Sequence, residues 1–188
     1  MMLDTDEVQA VRCLKSGDIG GLELLIARYQ GKALRTAFLV TQDESLAEDV
    51  VQDAFVHFFQ RARGFDEARP FEPYFLRSVV NTAINALQKE NKGNSLTGQE
   101  THALETLLDQ AASVEEQVEF NALKQQILVA LSGLAPRQRA VIVQRYYLQM
   151  TEKEMSAALD APRGTVKWLL NVARERLRSL LDSERNTE

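Results

Sequence analysis

The chain has 188 residues, 45% hydrophobic and 26% charged, and its 22 Lys and Arg face 27 Asp and Glu for a formal net charge of −5. That balance describes a globular protein of one ordinary or two small domains and excludes a disordered chain. The single cysteine, Cys13, excludes a disulfide framework and any multi-cysteine metal site, and no apolar run reaches the roughly 18 residues that cross a membrane.

The N-terminus, MMLDTDEVQ, has no signal-peptide pattern, so a cytoplasmic setting without membrane insertion is expected. Nearly every stretch that follows reads as helix. Val8, Val11 and Leu14 recur at three-residue spacing over residues 4–15, and Gly17 ends the segment. Leu22, Leu25, Ile26, Tyr29, Ala33, Ala37 and Leu39 carry a longer second helix, in which Gly31 costs roughly 1 kcal/mol relative to alanine. Ser45 and Glu48 have the spacing of a capping box, predicting a third helix with the stripe Val50, Val51, Ala54, Phe55, Phe58 and Phe59. The segment GFDEARPF at 64–71 breaks it, and a fourth helix is predicted from Pro73 to Lys89.

Periodicity lapses between residues 91 and 113, predicting a linker in which ALETLL forms at most a turn or two of helix. Ser113 and Glu116 form a second capping box, and Gly133 ends the helix they open. Pro136 suits the first position of a helix through PRQRAVIVQRYYLQ. Thr151 and Glu154 make a third box, opening a short helix to Leu159, and Pro162 opens a long one to about Leu181. No segment alternates with a two-residue period, so no sheet is expected. The fold class predicted is all-α: two small helical domains, 1–92 and 114–188, joined by a flexible acidic linker at 93–113.

Charge follows the same division. Residues 1–92 hold 11 basic and 14 acidic side chains; residues 93–121 hold no Lys or Arg and six acids; residues 122–188 hold 11 basic and 7 acidic. Much of the last excess lies at 163–178, where Arg163, Lys167, Arg174, Arg176 and Arg178 face only Glu175. The stretch TEKEMSAALDAPRGTVKWLL, from Thr151 to Leu170, has the form of a helix-turn-helix. Asp160 stands where the turn needs a residue tolerant of left-handed backbone, and Met155, Leu159, Ala161, Val166 and Leu170 are spaced to close a small core. That leaves Arg163, Thr165 and Lys167 for base edges, with Arg174 and Arg178 suited to phosphates. The alternative is an ordinary helical hairpin with a basic outer face. The adjacent Trp168 and Leu169 suit packing against protein or thymine methyl groups.

Taken together, LELLIARYQGKALRTAFLV, SLAEDVVQDAFVHFF, RPFEPYFLRSVVNTAINAL and LSGLAPRQRAVIVQRYYLQMTEKEMSAALDAPRGTVKWLL resemble the extracytoplasmic-function sigma factors, promoter-specifying subunits of bacterial RNA polymerase. The resemblance implies a transcription-initiation factor that binds core RNA polymerase and promoter DNA. It implies a region-2-like domain at 1–92, for polymerase binding, minus-ten recognition and melting, and a region-4-like domain at 114–188 for the minus-thirty-five element. AEDVVQDAF is similar to the family's main polymerase-binding surface, making Asp49, Gln52, Asp53 and Phe55 the expected contacts. RPFEPYFLRSVVNTAINAL is similar to the melting segment, so Phe71, Tyr74, Arg77, Asn81, Asn85 and Lys89 are the expected DNA contacts there. The loop matching Gly64–Pro70 forms the pocket for a flipped base in the family, and an anti-sigma protein commonly restrains its members. The chain departs from the pattern at QKENKGN, where members usually carry a basic run, and at Leu169, where they carry a basic residue. Fewer phosphate contacts imply weaker intrinsic DNA affinity.

Two other readings compete: an autonomous helix-turn-helix regulator or sigma-like adaptor that does not direct initiation, and an enzyme. His57 and His102 are the only histidines and neither has a convincing partner in the sequence. No phosphate loop, paired-carboxylate site or nucleophile arrangement is evident, so neither catalysis nor a cofactor is expected.

Overall fold

Residues 5–93 and 124–185 are described by the computed structural model, and every regular element among them is helical. Helix α1, Thr5–Ser16, ends where Gly17 adopts φ 94°, a left-handed conformation that carries no steric cost for glycine. Asp18 accepts the Gly20 N–H at 2.9 Å as the chain enters α2, Gly20–Thr41. A Cβ at Gly21 would lie 2.2 Å from the Ala10 carbonyl oxygen, so only glycine allows α1 and α2 to meet this closely.

Helix α3, Glu44–Arg61, does not use the expected Ser45–Glu48 box. Its cap is Asp43, whose carboxylate accepts the Leu46 N–H at 2.8 Å. The left-handed Gln42, φ 59°, leaves Asp43 extended two residues before Ser45, and an ionised carboxylate is an effective cap for exposed helix donors. A 3-10 turn, Ala62–Gly64, follows, and then α4, Phe71–Gly93. Helix α4 begins two residues before the expected Pro73, which falls within the first turn, where its missing N–H is not needed.

The core of this first unit is aromatic. Phe71 and Phe75 stack with centroids 5.1 Å apart, Phe55 lies 4.3 Å from Phe75, and Phe58 meets Phe71 edge-on at 4.7 Å. Val50, Val51, Ala54, Phe55 and Phe58 are buried as expected, but Phe59 is exposed. One residue beyond Phe58 is about 100° further around the helix, which carries Phe59 off the core face.

The chain divides into two compact units, Met1–Thr97 and Gly98–Glu188. In the second, residues 124–132 form α5, and Pro136 opens α6, Pro136–Ile142. The expected continuous helix instead widens into a π-helical turn over Val143–Tyr147. Helix α7, Glu152–Ala158, and α8, Arg163–Arg185, pack around Met155, Val166, Leu170 and Ala173; Leu159 and Ala161 are half-buried. The expected linker, 93–113, begins at Gly93, which is the last residue of α4; its remainder and the Ser113–Glu116 box lie outside the described residues.

Gln144, in the π-helical turn, is completely buried, and neither amide atom has a hydrogen-bond partner among the described residues. An orphaned buried amide costs about 1–3 kcal/mol in lost hydration. Gln144→Met, close in length and shape but apolar, is expected to recover about that amount. Thermal unfolding of the full chain checks it: the midpoint of the second unit rises, and an unchanged or lower midpoint contradicts the account.

Candidate protein and nucleic-acid interfaces

On α3, Asp49, Gln52 and Asp53 are all exposed, at the spacings that place side chains on one helix face. The same face continues into Val56 and Phe59, whose exposures of 45% and 44% make them the largest apolar groups on the outer side of this helix. Val56 is not part of the predicted apolar stripe, and Phe59, predicted to belong to it, is at the surface instead. Phe55 is 5% exposed, its ring against Phe75, so it belongs chiefly to the core. What remains of its surface helps to floor a groove of about 510 Å³ between α2 and α3, with Leu22, Ile26, Leu34 and Val51. Glu48 and Gln52 add polar groups to its lining. The combination is an acidic rim beside an apolar groove, suited to a basic partner that also buries apolar surface.

Helix α4 presents a second face. Tyr74, Arg77, Asn81, Asn85 and Lys89 follow one another at three- and four-residue spacings, placing them on one stripe about 22 Å long. Tyr74, Asn85 and Lys89 are exposed, and Arg77 and Asn81 are half-buried. The Tyr74 ring lies 4.9 Å from Phe65 and 6.2 Å from Phe58, which support it from beneath while 39% of the residue faces solvent. Phe71, expected to offer aromatic surface to bases, is only 1% exposed and offers none. Its place at the centre of the aromatic cluster makes it packing.

The loop between α3 and α4 is tied back to α1. Glu67 accepts from Arg12 Nε at 2.8 Å and Lys15 Nζ at 2.9 Å, and those hydrogen bonds hold its carboxyl below the usual range. A depressed carboxyl pKa means that this contribution is present above the ordinary carboxylate range and is lost as pH falls through the lowered value. Asp66 accepts the Ala68 N–H at 3.0 Å and pairs with Arg69 at 3.4 Å. At the end of the loop, Glu7 accepts the Phe71 N–H at 2.5 Å and the Tyr29 hydroxyl. Burial, followed by the hydrogen bond to Glu7, raises the Tyr29 pKa and keeps the hydroxyl a donor.

In the second unit the helix-turn-helix is capped as expected. Thr151 Oγ1 accepts the Glu154 N–H, and Glu154 accepts the Thr151 N–H at 2.8 Å. Asp160 is left-handed at φ 46°, and Ser156 Oγ donates to the Ala161 carbonyl at 2.6 Å, closing the turn. Arg163, Thr165 and Lys167 are exposed in the first turns of α8, and Arg174 and Arg178 are exposed further along. Arg163, Lys167, Arg174 and Arg178 share one stripe, whereas Thr165 lies about 160° around the helix from Lys167. Arg174 Nε donates to the Tyr146 hydroxyl at 2.8 Å with its guanidinium 5.7 Å from the ring centroid. Tyr146 is 57% exposed, and no local motif distinguished it; the π-helical turn carries it to this surface. Trp168 is also exposed, at 61%, and Leu169 is half-buried. Among the described residues no group of His, Cys, Asp or Glu is placed to hold a metal, and no helix is long and apolar enough to cross a membrane.

Residues 25–93 match the sigma-70 region 2 family, and residues 130–179 match sigma-70 region 4. The RNA polymerase sigma-E factor of Streptomyces avermitilis is 32% identical over 167 residues, covering 89% of this chain and 88% of that one. The ECF RNA polymerase sigma-E factor of Escherichia coli K12 is 28% identical over 178 residues, 91% of each chain. The fold is similar, with a TM-score of 0.65 and 19% identity, to the sigma factor RpoE solved in complex with the anti-sigma factor NepR from Bartonella quintana. That likeness covers 85% of this chain and 96% of the other.

Proposed function

The chain belongs to the sigma-70 family as an extracytoplasmic-function RNA polymerase sigma factor, a promoter-directing initiation factor, and from that premise we propose how its surfaces divide the work. Residues 1–92 act as the polymerase-binding and melting domain, 93–113 as an acidic tether, and 114–188 as the minus-thirty-five reader. Asp49, Gln52 and Asp53 meet the polymerase, with Val56 and the α2–α3 groove supplying apolar area. The edge of Phe55 contributes only through the groove floor.

Tyr74, Arg77, Asn81, Asn85 and Lys89 meet the minus-ten strand. Unstacking a base costs a few kcal/mol, and stacking on an aromatic ring returns about 1–3 kcal/mol per base. Tyr74 is placed to supply that stacking, and Asn81 and Asn85 to read base edges. The first turns of α8 enter the major groove with Arg163 and Lys167, Thr165 lying on the other side of the helix, while Arg174, oriented by Tyr146, and Arg178 hold phosphates. The protein acts in the cytoplasm without bond chemistry of its own. An anti-sigma protein is a further partner, suggested by the complex in which the similar RpoE was solved.

The observation that carries this reading is the supported Tyr74 ring at the head of an amide-bearing helix face, inside the span that matches region 2. Run-off transcription with purified core polymerase tests it. Transcripts from specific promoters are expected only when the protein is added, and failure to associate with the core enzyme overturns the proposal.

A further inference from the structure

Helix α1 precedes the span that matches region 2, yet it holds the loop before α4 and the start of α4, next to the proposed base-reading face. Two carboxylates make the connection, and a third ties α4 to α2. Glu67, midway along the loop, is held by Arg12 and Lys15 of α1 at 2.8 and 2.9 Å. Glu7 of α1, 7% exposed, accepts the Phe71 N–H, the first donor of α4, from 64 residues away. Glu72, in the first turn of α4, pairs with Lys32 of α2. The loop is therefore pinned in its middle and at its far end.

We propose that Glu7, Arg12 and Lys15 are positioning residues, which preorganise the Phe65–Pro70 loop and the first turn of α4 for capture of an unstacked promoter base. This rests on the reading of α4 given above. A loop fixed before binding does not lose its conformational freedom in the encounter, so bracing strengthens capture without touching DNA. Glu7 also supplies what the helix start lacks, an acceptor for an orphan N–H at the positive end of the helix dipole. The Glu67 pairs are partly exposed, with 30% of its side chain accessible, so they add little to global stability. Their effect falls on loop order.

Holoenzymes assembled from core polymerase and the full chain test this. Permanganate reactivity of unpaired thymines reports opening of duplex promoters carrying each of the four bases at the captured position. Glu67→Gln is expected to leave core binding and thermal stability unchanged, reduce opening about fivefold and narrow discrimination among the bases. The charge-swapped chain, Arg12→Glu, Lys15→Glu and Glu67→Lys together, is expected to restore both. Tyr74→Ala separates the two ideas. Unchanged opening with Tyr74→Ala removes the reading of α4 and this proposal with it. Reduced opening with Tyr74→Ala, but unchanged opening and discrimination with Glu67→Gln, overturns the brace alone. An equal loss for all four bases, unrepaired by the charge swap, also overturns it.

Discussion

Replacing Phe71 with alanine is expected to destabilise the first unit by about 3–5 kcal/mol, the range for emptying a buried aromatic site. The ring is 1% exposed and meets Tyr29, Phe58, Phe65 and Phe75, so its loss leaves a cavity bounded by four other aromatics. Those rings belong to α2, α3, the loop and α4, and they cannot all close on the space without moving helices. Domains of this size are stable by roughly 5–15 kcal/mol in total, so the variant loses a large part of its margin. Tyr74→Ala is expected to cost far less, about 1 kcal/mol of aromatic contact, because much of that ring already faces water. Its promoter opening is nevertheless expected to fall further than its stability. Urea denaturation of both variants beside promoter opening at low temperature separates packing from reading. Equal stability losses in the two variants contradict the division drawn between Phe71 and Tyr74.

That division shows what sequence periodicity resolves and what it does not. Phe71, Tyr74 and Phe75 are all compatible with one aromatic helix face in sequence, yet packing against Tyr29 of α2 and Phe55 and Phe58 of α3 buries Phe71 and Phe75 and leaves Tyr74 39% exposed. The Thr151–Glu154 box and the left-handed Asp160 were legible because both depend on chemistry within a few residues. Ser45–Glu48 had the same spacing without the role, since the turn at Gln42 had already directed the cap to Asp43. The Glu7–Phe71 contact and the place of Tyr146 beside Arg174 depend on residues brought together by the fold. No local pattern records them.

Electrostatics adds the step that joins the site to its partner. The acids on α3 are not absorbed by internal pairing: Asp49 and Asp53 are exposed and have no ion pair or hydrogen bond among the described residues. Solvated charges of this kind contribute little to folding but respond strongly when a partner excludes water around them. Next to them lies an apolar groove whose burial supplies the non-directional part of binding. In the proposed interface the acids select a basic partner and fix its register on the groove.

Asp49→Arg is accordingly expected to weaken association with core polymerase by about 30- to 1000-fold, corresponding to roughly 2–4 kcal/mol for reversing a charge at an interface hot spot. Gln52→Ala removes one polar contact without introducing repulsion, and about a fivefold loss is expected. Both positions are exposed on a regular helix, so stability is expected to change by no more than about 0.5 kcal/mol. Binding and folding are thereby separated in the same proteins. Titration of labelled chain with core polymerase at two salt concentrations measures the losses. The Asp49→Arg defect should shrink as salt rises, because screening weakens repulsion at the rim more than apolar contact in the groove. A Val56→Ala variant should show the converse, a modest loss nearly independent of salt. Unchanged affinity in Asp49→Arg would move the polymerase-binding surface off this face of α3.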